Sequence, residues 1–94
     1  MSIQNRYQPA YCAIINAKKA EEEFIDFIRS GDRTSANDCG DVAAKMYTDA
    51  AMSLRSLSET ETSSAQKHIV MCKATELLER AGKIRRWITQ QYKK

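Results

Sequence analysis

The chain predicts an all-α fold, an antiparallel up-down-up bundle of three helices. Three observations lead there: apolar residues recur at helical spacing over three separate stretches, no stretch alternates with the period of a strand, and turn formers cluster between the stretches. Ninety-four residues make one domain, 1–94, large enough for a single modest core. Hydrophobic residues at 43% and charged residues at 29% are ordinary for a chain that buries such a core.

The first helix is expected over about residues 9–30. Met1 to Gln8 is polar and reads as frayed, whereas Pro9 suits a first helical turn, where its missing N–H has no partner anyway. Ile14, Ala17, Phe24, Phe27 and Ile28, with Tyr11, Ile15 and Ala20 alongside, then keep the helical period. Gly31 supplies the left-handed residue with which helices commonly end. The stretch 31–40 is rich in turn formers and reads as the longest loop, or in part as a helical turn, with Ser35, Asn37 or Asp38 as the cap of the next helix.

The second helix is expected over about 40–57, with Ala43, Tyr47, Ala50, Leu54 and Leu57 as its apolar stripe. Its alanines, with Ala74 and Ala81 further on, let two backbones approach closely, so helices 2 and 3 should be antiparallel neighbours across the polar turn 58–62. The third helix, about 63–92, has the longest pattern: Val70, Ala74, Leu77, Ala81, Ile84 and Ile88. Ser63 and Gln66 have the spacing of a reciprocal N-terminal cap. This helix is expected to be both the spine of the fold and its main binding surface.

Little in the chain can carry catalysis. His68 is the only histidine; Cys72 follows four residues later on the same face, half of a metal site or a surface pair. The three cysteines are widely spaced and read as small buried or half-buried thiols, with no disulfide framework and no cofactor or metal site. There is no phosphate-cradling glycine loop and no nucleophile elbow. The reading is of a non-enzyme with no small-molecule substrate. Apolar runs of only a few residues and a polar start predict a soluble, cytoplasmic chain that meets membranes only indirectly, whether whole or one domain of a larger protein.

Charge is unevenly spread. Residues 67–94 carry eight basic and two acidic side chains, a net of +6, and residues 1–66 carry −3. This asymmetry serves either intramolecular complementarity or an acidic partner. A nucleic-acid partner is the alternative reading, through Lys83, Arg85, Arg86, Lys93 and Lys94 with Trp87 and Tyr92 among them, but cations at a helix C-terminus also stabilise the helix itself.

Two rows flank the apolar stripe of helix 3, each about 80° from its centre. Met71, Thr75, Leu78, Gly82 and Arg85 form one, bordering the groove between helices 2 and 3. Lys73, Arg80 and Trp87 form the other, bordering the groove between helices 1 and 3. Leu78 and Met71 either line a wall that receives an incoming apolar segment or complete the core.

The segment Leu77-Leu78-Glu79-Arg80-Ala81-Gly82-Lys83-Ile84 resembles the leucine-acidic-arginine-alanine-x-lysine-aliphatic signature in the last helix of MIT domains, the microtubule-interacting and trafficking modules. Ala74 falls at a small core position, Met46-Tyr47 with Ala50 is similar to the family's leucine-tyrosine-x-x-alanine, and Ala13-Ile14 is similar to its alanine-isoleucine start. The resemblance implies a three-helix bundle without enzymatic activity that recruits a host protein to ESCRT-III polymers on endosomes by binding their C-terminal tails. Helical tails would lie between helices 2 and 3 against Leu78, and extended tails between helices 1 and 3. Two departures stand out: Gly82 occupies a position where the family often has an acidic residue, and the expected connection from helix 1 to helix 2 is longer than usual.

Overall fold

The computed structural model describes residues 4–91 of the chain, with side chains from Arg6 onward. Three helices account for almost all of them: α1 Gln4–Ser30, α2 Arg33–Ser58 and α3 Ser64–Gln91. No strand occurs among the described residues. The all-α three-helix bundle expected from the sequence is the fold observed. Its helices are antiparallel in succession, since the start of α1 meets the end of α2 through Arg6 and Leu57, and the end of α2 meets the start of α3 through Ser58 and Met71.

Two helix boundaries differ from expectation. Residues 31–40 are not a loop; helix α1 ends in a compact cap after which only Gly31 and Asp32 separate it from α2. Gly31 takes φ +83°, its N–H bonds Ile28 O at 3.1 Å, and the N–H of Asp32 reaches back to Phe27 O at 3.0 Å. That pair of bonds satisfies two carbonyls the helix would leave unpaired. Asp32 then caps α2 at once, its carboxylate accepting from the Ser35 N–H at 3.1 Å. Ser35, Asn37 and Asp38, expected as caps, lie inside the helix, where the wholly buried Ala36 and the buried Gly40 hold this first part of α2 in the core. The long first connection inferred as a departure from the MIT pattern is therefore absent.

Helix α1 also begins earlier than Pro9, which sits within it. Residues 4–8 are helical because Tyr7 and Ala10 are buried and the turn after α2 holds their end of the helix: the Tyr7 hydroxyl donates to Glu61 and Arg6 donates to Thr60. The burial of Tyr7 outweighs the one hydrogen bond that proline removes. Met1 to Ile3 lie outside the described residues, as does Tyr92 at the far end.

The spine is α2, not α3 as the sequence suggested. Its buried positions are Ala36, Gly40, Ala43, Ala44, Tyr47, Ala50, Ala51, Leu54 and Ser58, a broad band that contacts α1 on one side and α3 on the other. Small residues let both neighbours come close. Among the described residues no Cα of α1 lies within 8 Å of one in α3, and the bundle is flattened to 49 × 24 × 15 Å. Helices α1 and α3 thus meet only through side chains. On α3 the expected stripe holds: Val70, Ala74, Leu77, Ala81 and Ile84 are buried, and Ile88 is half-buried against the core. Ser63 accepts from the Gln66 N–H at 3.3 Å, which is the serine half of the expected reciprocal cap.

Candidate functional site

The two rows of α3 face the two sides the helical angles assign them to. On the α2 side, Met71 is half-buried and its sulfur accepts from the hydroxyl of the buried Ser58 at 3.3 Å. Thr75, one turn on, is exposed and donates back to Met71 O at 3.0 Å. Leu78 is half-buried and packs on the core, so it both contributes to the core and leaves part of its surface at the groove. Beside it Gly82 leaves room, since a Cβ there would meet nothing nearer than the Arg86 guanidinium at 3.7 Å. Arg85 closes this row by pairing with Asp41 of α2 at 3.7 Å, both side chains more than half exposed.

On the α1 side the row is more engaged with its own chain. Arg80 donates from Nε to Glu21 Oε1 at 3.0 Å and lies over the Tyr47 ring, 5.7 Å from its centroid. The same Glu21 oxygen accepts the Tyr47 hydroxyl at 2.7 Å. Burial, and then the Glu21 carboxylate, push the Tyr47 phenol far above its ordinary range. Trp87 meets Phe24 edge-on, with ring centroids 5.2 Å apart at 89°. Lys73 is half-buried, pairs with Glu76 on its own helix at 3.5 Å, and borders a cavity of about 170 Å³ with Tyr7, Tyr11, Leu54, Ile69 and Val70. The α1/α3 groove is therefore crossed by aromatic and ionic contacts; it opens near the α2–α3 turn and again beside the Arg80–Glu21 pair, in a cleft of about 550 Å³ lined by Glu21, Glu76, Glu79, Arg80 and Lys83.

Tyr7, Tyr11 and Ile69 line the opening near the turn; Tyr7 and Ile69 were not singled out from the sequence, and Tyr11, read with Ile15 as flanking the apolar stripe of helix 1, is like Ile15 more than half exposed. Tyr7 lay in the segment read as frayed, although Tyr7, Ala10, Ile14 and Ala17 continue one helical stripe across Pro9. Ile69 is 61% exposed, and nothing in its spacing marks it. Burial pushes the Tyr7 phenol up, and the neighbouring Glu61 adds to the shift.

A cleft of about 490 Å³ opens where the α2/α3 groove reaches the turn, lined by Arg55, Ser58 and Glu59 on one side and Ser64, Lys67, His68 and Met71 on the other. His68 Nε2 and Cys72 Sγ lie 3.5 Å apart on an exposed face, and no group of three or more metal-binding side chains gathers among the described residues. Of the cysteines only Cys39 is half-buried; Cys12 and Cys72 are exposed, contrary to the buried thiols expected, because both lie off the apolar stripes. Burial, with Glu23 beside it, raises the Cys39 thiol above its usual range. Of the terminal basic group, Lys83, Arg85 and Arg86 are exposed, while Tyr92, Lys93 and Lys94 lie outside the described residues. No helix among the described residues is long and apolar enough to cross a membrane.

The chain matches no family model, and no curated protein and no solved structure is significantly similar to it, so the resemblance to MIT domains rests on its motifs alone.

Proposed function

We propose that this chain is a non-catalytic, MIT-like protein-interaction module that binds C-terminal tail segments of ESCRT-III-type partners in a groove beside α3. In the cytoplasm it would bring a host protein to endosomal or other membrane-remodelling sites. The observation that carries the reading is the α2/α3 side of α3: Met71 and Leu78, two turns apart, are half-buried along one groove, and Gly82 leaves open space beside them. That spacing fits the apolar face of an amphipathic helix, whose anchors recur every three to four residues. The α1/α3 groove is the second candidate, because Arg80 and Trp87 already have partners within the chain.

The test is a binding titration with helical tail peptides. Leu78→Asp should reduce affinity at least about tenfold while the helical circular dichroism is retained. Because Leu78 also packs on the core, Thr75→Arg serves beside it: Thr75 is exposed, so a bulky side chain there obstructs the groove without touching the fold. Undiminished binding by a folded Thr75→Arg protein would move the site away from the α2/α3 groove.

A further inference from the structure

The cleft at the turn end of the α2/α3 groove has a charge character that the groove reading does not by itself require. Arg55 stands one turn before Ser58 on α2, and the hydrogen bond from Ser58 to the Met71 sulfur joins the two helices at its floor. Lys67 and His68 stand one turn before Met71 on α3, which brings them to the opposite wall. Arg6, Lys73, Arg80 and Arg85 each have a carboxylate within 4 Å, whereas among the described residues the side chains of Arg55 and Lys67 have none. Glu59 is the one carboxylate among the lining residues, so the cleft is net cationic. At the other end of the groove Arg85 is paired with Asp41, while Arg86, beside Gly82, has no carboxylate within 4 Å among the described residues. Lys67, Met71, Thr75 and Leu78 follow one another at helical spacing, so a segment lying along the groove runs into the cleft.

From this we infer that the partner segment is acidic at one end: its apolar side chains cover Met71 and Leu78, and its aspartate or glutamate carboxylates enter the cleft between Arg55 and Lys67. The inference rests on the groove reading and deepens it by naming the partner's charge and the end at which that charge lies.

The experiment uses the isotope-labelled full chain and two peptides of about 18 residues, roughly the length that spans the groove as a helix. Both carry the same leucine face; one ends in a run of glutamate and aspartate, its twin in glutamine and asparagine. The acidic peptide should bind about tenfold tighter than its twin, shift the Lys67 and His68 amides together with Leu78, and lose its advantage in high salt. In the Arg55→Glu, Lys67→Glu double variant, both changes at exposed positions, the two peptides should bind equally. Equal affinity for the twins on the native chain overturns the inference and leaves the groove reading standing. A third arm, capped triglutamate alone, separates the two claims. Shifts at Lys67 and His68 with triglutamate, but none anywhere with either long peptide, would keep acid recognition and remove the groove. Saturation of the cleft by inorganic phosphate, with no response to triglutamate, would contradict the carboxylate assignment.

Discussion

Arg80 of α3 donates from Nε to Glu21 Oε1 of α1 across 3.0 Å, spanning two helices whose backbones do not otherwise come within 8 Å among the described residues. The bond is anchored from beneath, because Tyr47 of the central helix donates its hydroxyl to that same oxygen. Glu21 is only 16% exposed in its side chain and Arg80 is 52% exposed, so the two ends of the pair contribute unequally. Removing Glu21 strands a buried phenol and a cation together. Glu21→Ala should cost about 1–3 kcal/mol in denaturant unfolding, whereas Arg80→Ala should cost no more than about 1 kcal/mol. Equal losses would mean that the tyrosine contact contributes nothing.

The same site sets an alkaline limit on stability. Burial and Glu21 hold the Tyr47 phenol above the ordinary 10.0, so an unfolded chain releases this proton first. The stabilisation is present in full below about pH 10 and is lost as pH rises beyond it. Unfolding followed from pH 9 upward should show a decline that Tyr47→Phe makes shallower.

Two glycines within helices should respond to alanine with opposite signs. At Gly40 an added Cβ would lie 2.8 Å from the Phe24 ring and 3.0 Å from Ile88, where all three helices converge. Phe24 is buried and held edge-on by Trp87, so it has little freedom to give way. Gly40→Ala should therefore destabilise by about 1–2 kcal/mol despite its better helix propensity. At Gly82 the space is open, and Gly82→Ala should stabilise by up to about 1 kcal/mol. Thermal melts of the two variants check both signs.

Asp32 begins the central helix, and the Ser35 amide bonded to its carboxylate holds its pKa below the usual 3.8. Asp32→Ala should lower the melting temperature, because the first turn of α2 loses its cap. The charged cap contributes above the ordinary carboxylate range, and that contribution is lost as pH falls through the lowered folded-state value. Asp32→Asn should keep most of the cap and remove its share of the acid dependence, read from melts between about pH 2 and pH 5.

The fold class was legible because the stripes on α2 and α3 repeat without interruption, and Gly31 and Ser63 marked real helix ends. What was not legible came from tertiary context. Turn formers at 33–40 are helical because Asp32 caps the segment and Ala36 is buried, and the segment before Pro9 is helical because Tyr7 reaches Glu61, 54 positions away. The central role of α2 was hidden in alanines: Ala44 and Ala51 extend its buried band toward a second helix, but alanine fits a surface as well as a core. For the candidate site, helical angles alone assigned Met71 and Leu78 to one groove and Arg80 and Trp87 to the other. They did not reveal that Glu21 and Phe24 already occupy the second pair.

The most direct measurement is an NMR titration of the labelled chain with a panel of ESCRT-III C-terminal tail peptides. The account predicts saturable shifts that cluster at Met71, Thr75, Leu78 and Gly82 and are lost in Thr75→Arg. Shifts confined to Lys73, Arg80 and Trp87 would contradict the choice of groove, and a panel that moves no resonance would contradict the proposed function and leave the MIT likeness as one of motifs alone.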